Sequence, residues 1–372
     1  MQASNSRQVS RVIVIGPTRE TMTIGNAIKS IAGRSIQVEV IRTVVPPSDY
    51  KLGREELLPK LKEKLSGSDS STMVITDFGD VRPYKCEEIA RDVKENSKNA
   101  TVVLLTSKPE CVGKPEKLAE LISERGFDSK EILLKIDYVF QYTGVGELFP
   151  MMVDLQESKM NYLNDDKRAI LVFESMPNFY SGYLTKLYGI NGRKTHLLLA
   201  RTYDEAEKLI DQLRARIAGA ILGMRNPGHS FELLRELRAY SKGLPVIMQS
   251  GKVERVELAK KDGSVFALHK KDPVLMKSVE NILLHFFGFG SFIFRLPSGQ
   301  EIGRAENLSE LCKLIETVDG ASLVDHASRN DFSTWLNMNN YDDAAKKIQP
   351  MFSNDPATLR RLLLRDLKPF LK

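Results

Sequence analysis

Short apolar runs alternate with amphipathic stretches along most of the chain, the pattern of strands laid between helices. RVIVIG (residues 11–16), SIQVEVIRTVV (35–45), STMVITDF (71–78), ATVVLLTS (100–107) and EILLKIDYV (131–139) predict five strands. A helical period marks 23–32, 54–65, 84–96 and 117–125 between them, and Pro46 and Pro47 stop the second strand. A long amphipathic helix over 148–163 follows, and the polar NDDKR after it reads as a hinge. The pattern then restarts with AILVF (169–173), HLLLAR (196–201), AGAILG (218–223), LPVIMQS (244–250) and SVFALHK (264–270). Helices at 178–187, 203–214, 230–240, 253–261 and 273–286 separate and follow these runs. The runs are nearly continuous, as in strands buried on both faces of a parallel sheet.

A third region is different. FIFRLPSGQEIGRA (292–305) reads as a hairpin turning at Pro297-Ser298-Gly299. Helical pieces follow at 308–317, 323–336, 342–348 and 357–367. The expected fold is α/β: two tandem flavodoxin-like, doubly wound parallel-sheet domains and a small C-terminal α+β or helical domain. The expected boundaries are a flexible N-terminus at 1–10, a first domain at 11–146, a connecting helix at 147–166, a second domain at 167–287 and the C-terminal domain at 288–372.

Composition narrows the function. Hydrophobic residues make up 42% and charged residues 27%, which excludes a disordered or fibrous chain. The net charge is +6 with no dense basic block, so a polyanionic partner is allowed but not demanded. With no helix-turn-helix or aromatic–basic platform, nucleic acid is not an expected partner. Cys86, Cys111 and Cys312 are isolated, which argues against a disulfide framework or a structural zinc site. No apolar run reaches the ~18 residues of a membrane helix and the N-terminus has no apolar signal core, so a cytoplasmic protein without a membrane span is expected.

Chemistry in such sheets gathers at the carboxyl ends of the strands. In the second module these ends read Phe173-Glu174-Ser175, Gly223 followed by Met-Arg-Asn-Pro227-Gly228, Gln249-Ser250-Gly251 and His269-Lys270. This series resembles a response-regulator receiver domain. The resemblance implies an acidic pair at Glu174 and Ser175, the phosphoacceptor at Gly223, the hydroxyl switch residue at Ser250 and the family's lysine at Lys270. Ser175 breaks the acidic pair, and Gly223 has no side chain to act as nucleophile. Mg²⁺ is held through carboxylates and phosphate oxygens, so Glu174 alone is a poor site. Ser250 and Lys270 retain the means to bind an anion. The plainer reading has Lys270 neutralising Glu174 or lying at a solvated edge.

The first module is degenerate in another way. Its third strand ends in Asp77, with Asp80 nearby; its fourth ends in Thr106, and its fifth contains Lys135. Asp77 is thus a candidate phosphoacceptor, the alternative being an Asp that caps a loop or helix. Its first strand ends Gly16-Pro17-Thr18 without an acidic pair. Mg²⁺ enters as a cofactor only if this domain is phosphorylated.

Four further segments, AILVFESMPNFYSGYL (169–184), HKKDPVLM (269–276), HFFGFGSFIFRLPSGQEIGRA (285–305) and HASRNDFSTWL (326–336), carry a closer resemblance. They are similar to the N-terminal regulatory region of bacterial proteins related to phosphoenolpyruvate synthase and pyruvate, phosphate dikinase. That family has Glu-Asp where this chain has Glu174-Ser175, an Asp at Gly223 and a His at Asp331. No ATP-binding or phosphohistidine domain lies within the chain, so the resemblance implies a regulatory or docking part and not the activity.

The expectation is a non-catalytic signalling or scaffold protein of two pseudo-receiver domains, acting on a protein partner. That partner is a dikinase-like phosphotransferase or a signalling component, and a homo-oligomer is allowed. The alternatives are a regulatory subunit of a dikinase-like phosphotransferase, and a phosphorelay acceptor using Asp77. The resemblance also implies a docking face over 253–286. Met151, Met152 and Met160 suit core packing or an interface. His326 with Arg329 and Asp331 suits a local polar cluster near Trp335. The basic stretch TLRRLLLRDLKPFLK suits a solvated helix face, or a contact with an acidic partner or a membrane surface.

Overall fold

The computed structural model describes residues 7–16, 24–28, 36–42, 59–60, 62–65, 69–77, 85–107, 115–144, 146–165, 167–191, 193–241, 243–263, 265–339, 341–349 and 351–371. Asp80 and Cys111 lie outside these described residues. The chain divides into two compact units, Met1–Asp165 with Glu174–Tyr188, and Asp166–Phe173 with Gly189–Lys372.

The first unit is built on β1 (Arg11–Gly16), β2 (Gln37–Arg42), β3 (Thr72–Asp77), β4 (Thr101–Thr106) and β5 (Tyr138–Gln141), in the order β2-β1-β3-β4-β5. Every pairing is parallel. Strands so paired need crossovers, and helices α1 (Cys86–Asn96), α2 (Pro115–Glu124) and α3 (Ser129–Lys135) supply part of them. Ile13, Val74, Val102 and Leu104 pack against Ile89, Val93, Ile122 and Ile132 of these helices.

The run EILLKIDYV does not form one strand. Its first five residues lie in α3, whose N-cap is Asp128: the carboxylate accepts from the amides of Lys130 and Glu131. That cap and the Lys135–Glu131 ion pair one turn apart hold the helix, and β5 begins only at Tyr138.

Helix α4 (Leu148–Asn161) buries most of its surface, including Met151 and Met152, while Met160 is half-buried. It also holds residues 7–9, which fall in the segment expected to be flexible; residues 1–6 of that segment lie outside the described residues. Asn161 accepts from the Arg7 amide at 2.8 Å, Glu157 accepts from the Val9 amide at 2.9 Å, and Val9 is 2% exposed. Residues 174–188 also belong to this unit. Helix α5 (Pro177–Asn191) covers β5, the edge of the sheet: Tyr180 donates its hydroxyl proton to the Val139 carbonyl, and Ser181 Oγ accepts from the Gln141 amide at 2.9 Å. An edge strand left bare would offer its backbone to another chain.

The second unit carries β6 (Ala169–Phe173), β7 (His196–Ala200), β8 (Ile217–Gly223), β9 (Val246–Ser250) and β10 (Phe266–His269), in the order β7-β6-β8-β9-β10. This is again a parallel sheet of the flavodoxin-like order. The helices between and after its strands are α6 (Tyr203–Leu213), α7 (Pro227–Tyr240), α8 (Val253–Lys260) and α9 (Leu275–His285).

In the same unit follow the antiparallel hairpin β11 (Phe292–Arg295) and β12 (Glu301–Ala305), then α10 (Leu308–Thr317), α11 (Gly320–Ser328), α12 (Asp331–Met338), α13 (Asp342–Ile348) and α14 (Pro356–Leu367). Their core includes Phe292, Phe294, Leu311, Phe332, Trp335 and Leu363. The basic C-terminal stretch is a packed helix here. Leu359, Leu363 and Leu367 are buried, and Arg360 donates to the carbonyls of Ile315 and Val318 that end α10. Arg365 and Lys368 pair with Asp366 and Glu316. No helix among the described residues is long and apolar enough to cross a membrane.

One contact joins the sheet to the hairpin and helices beyond it. A Cβ at Gly219 of β8 would overlap the ring of Phe287, which is fully buried. Gly288 then takes φ +83, and Gly290 accepts through its carbonyl from Trp335 Nε1 at 2.8 Å. Gly219→Ala should lower the free energy of urea unfolding by about 1–3 kcal/mol through overpacking. Adding Phe287→Leu should recover part of that loss, whereas strictly additive losses would dissociate the two residues.

Candidate functional site

The carboxyl ends of the second sheet are closed by their own loops. Gly223 is the last residue of β8, and its carbonyl lies 3.0 Å from the Ser230 hydroxyl, as does that of Asn226. Asn226 caps α7 through the Gly228 amide, with Pro227 in the first helical turn, where its missing N–H costs nothing. Arg255 donates to the carbonyls of Met224 and Arg225, at 2.7 Å each. Ser250 is buried, and its hydroxyl accepts from the Lys252 amide at 3.1 Å. Lys270 follows β10 with its backbone amide on the Ser250 carbonyl.

Glu174 and Ser175 follow β6 but belong to the first compact unit, whereas Gly223, Ser250 and Lys270 belong to the second. Glu174 is 2% exposed and accepts from the Met176 amide at 3.1 Å, just before α5. Burial, and then the charge of Glu174, push the Tyr183 phenol far above its ordinary range.

In the first sheet, Asp77 ends β3 half-buried and Thr106 ends β4 fully buried. Lys135 is not with them. It ends α3, three residues before β5 opens, and in a parallel sheet the residues before a strand lie at the edge opposite the carboxyl ends. Its ammonium pairs with Glu131 at 2.9 Å. The carboxyl end of β5 carries Gln141 and Tyr142 instead.

Three features escaped the sequence reading. Gln249 is fully buried in β9, in register with Gly223, and neither atom of its amide has a hydrogen-bond partner among the described residues. A glutamine inside LPVIMQS was the available signal. Glu87 is fully buried against Arg125 at 3.3 Å. The Cys86 thiol donates to Glu87 at 3.1 Å, and burial, then that carboxylate, hold its pKa well above the usual value, so it is not a reactive thiolate. The spacing of these residues gave no hint of the pair.

His326 is buried with both ring nitrogens engaged. Nε2 accepts from the Arg295 amide at 2.9 Å, which leaves the proton on Nδ1, 2.7 Å from Asp331. Asp331 also takes Arg329 at 2.8 Å. This ring ties the hairpin to α11 and α12 and has no nitrogen left for proton transfer. Among the described residues no group of three His, Cys, Asp or Glu is placed to hold a metal ion.

No protein-family model matches the chain, and no curated protein does. Among solved structures it has weak likenesses. A twin-arginine translocation pathway signal protein from Burkholderia phytofirmans is 11% identical, over 69% of this chain and 74% of that one, at a TM-score of 0.23. A ketoreductase domain from the bacillaene assembly line is 12% identical, over 67% and 71%, at 0.20. The GsuK RCK domain is 10% identical, over 76% and 77%, at 0.25. Overlaps this slight carry no argument, and the fold rests on the chain's own strand order.

His285 gives a pH test of the region. Its Nδ1 is buried without a partner among the described residues, and burial, then the charges of Arg295 and Arg304, lower its pKa. The unfolded chain therefore binds this proton first as pH falls. Stability should be full above about 6.5 and decline below it, down to the depressed native value. In chemical denaturation across this window, His285→Gln should flatten the decline, and an unchanged slope would remove His285 as its source.

Proposed function

We propose that the chain is a non-catalytic, cytoplasmic interaction protein built on two receiver-like sheets, and that it acts by holding a protein partner. The observation that carries this reading is Gly223. The central strand of the second sheet ends, where a phosphoacceptor would stand, in a residue without a side chain, and the surrounding carbonyls are already taken by Ser230 and Arg255. The first sheet supports the reading less directly. Asp77 has neither a lysine from β5 nor an acid at the end of β1, which weighs against the phosphorelay alternative.

The partner's seat on this reading is the face of α8, β10 and α9. β10 is an edge strand. Val253, Leu258 and Val274 are 59%, 43% and 54% exposed, and exposed aliphatic side chains in one segment suit a partner surface. Such a module is held in one state or shifted only by a partner with different affinity for two states.

Two measurements test the reading. The full chain incubated with acetyl phosphate and Mg²⁺ should gain no phosphoryl mass, and an adduct mapped to the second sheet would overturn it. An adduct lost in Asp77→Ala would favour the phosphorelay instead. In affinity capture from the native cell, a stoichiometric protein should be retained by the wild-type chain and lost with Leu258→Asp/Val274→Asp, provided the variant keeps its melting temperature. A dikinase-like phosphotransferase in that position would make the chain its regulatory subunit.

A further inference from the structure

A groove of about 580 Å³ opens in the second unit, on the side of the sheet away from Gly223. Its walls come from the residues just before β9 and β10, from the end of α9, from the hairpin and from the turn between α11 and α12. The space matches that of small-molecule sites, which are mostly apolar with a few fixed polar groups. Val265, Phe266, Phe286 and Pro297 provide the apolar part, and the rings of Phe266 and Phe286 lie 4.6 Å apart.

Three arginines reach this wall, and they are not equivalent. Arg329 is paired with Asp325 and Asp331. Arg238 donates to the Leu244 carbonyl. The Arg295 guanidinium has no hydrogen bond or ion pair among the described residues and lies 5.8 Å over the Phe286 ring. Partial burial lowers its pKa, yet an arginine stays charged at any working pH. Among the described residues the lining holds three guanidinium groups and two carboxylates, and the charge of Glu301 also acts on Arg295.

Arg295 is also held in place. The β11–β12 register shifts between Phe294 and Arg295, and an irregularity of this kind re-aims a side chain. The Arg295 amide is fixed by His326, which is fixed by Asp331. Gly243 sits where a Cβ would overlap the Arg329 carbonyl, so the floor of the groove depends on that close approach.

We infer that this groove binds a small carboxylate on an aromatic or apolar body, with the carboxylate on Arg295 and the body against Phe266 and Phe286. A planar guanidinium takes a carboxylate through two parallel hydrogen bonds, and one guanidinium without a hydrogen bond or ion pair among the described residues suits a monoanion better than a phosphate dianion. The inference does not rest on the fate of Gly223 or on a protein partner, although Phe266 belongs to β10 and Phe286 follows α9, two elements of the proposed partner face.

Isothermal titration of the full chain with 1-naphthoate tests it, with naphthyl phosphate and the neutral 1-naphthalenemethanol as the other arms. Saturable one-to-one binding of naphthoate is expected, with the alcohol at least about tenfold weaker. Arg295→Ala should weaken naphthoate by about tenfold or more and leave the alcohol unchanged. The side chain has no hydrogen bond or ion pair among the described residues to lose, so this variant should fold; Arg295→Gln is the substitute if it does not. Phe286→Ala should weaken both ligands. No saturation by naphthoate at roughly 10 mM, equal binding of the alcohol, or an Arg295→Ala variant that binds as the wild type does would each overturn the site. Preference for the phosphate would overturn the carboxylate assignment.

Discussion

A phenyl ring stands where one side chain of the central strand would be. Phe287 fills the space over Gly219, and the second unit takes its arrangement from that contact. With the ring seated, Gly288 and Gly290 can turn the chain under Trp335, and the hairpin is delivered beside the amino ends of β9 and β10. The aromatic cluster of Phe292, Phe294, Phe332 and Trp335 then closes the C-terminal core. The groove around Arg295 is a by-product of the same joint, because two of its walls belong to the sheet layer and two to the hairpin and the helices after it.

The two edges of this sheet have opposite chemical characters. At the carboxyl edge, polar side chains are spent on the protein's own loops: Asn226 on a helix cap, Ser230 and Arg255 on carbonyls, Ser250 on an amide. Bonds of this kind lower the cost of burying backbone, and the Gln249 amide is the exception, buried at this edge without a partner among the described residues. At the amino edge, Arg295 keeps its charge without a hydrogen bond or ion pair among the described residues and rests over the Phe286 ring. On physical grounds the side away from the expected pocket has more left to offer a small molecule.

Much of this was legible from the chain. Nearly continuous apolar runs gave both sheets, because strands buried on two faces leave no polar position to confuse the reading. Pro297-Ser298-Gly299 gave the hairpin turn, and Gly299 does take φ +90. The misreading of 131–139 came from weighing apolar content over capping. Asp128 starts a helix there, and the shift carries Lys135 to the wrong edge of the sheet. Residues 174–188 counting with the first unit could not be read at all, since a hydrogen bond from Gln141 to Ser181 leaves no periodic signal. The groove was illegible for a related reason: its lining comes from several elements far apart in sequence. The polar cluster of His326, Arg329 and Asp331 is local enough to read from the chain, but the hold of His326 on Arg295, 31 residues away, leaves no periodic signal.

The function proposed for this chain turns on one feature of the second sheet, a central strand that ends at Gly223 without a side chain to act as nucleophile. Peptide mapping of the full chain after treatment with acetyl phosphate and Mg²⁺ should find no phosphoryl group on any residue of the second sheet. A phosphoryl group mapped to a residue of that sheet would contradict it.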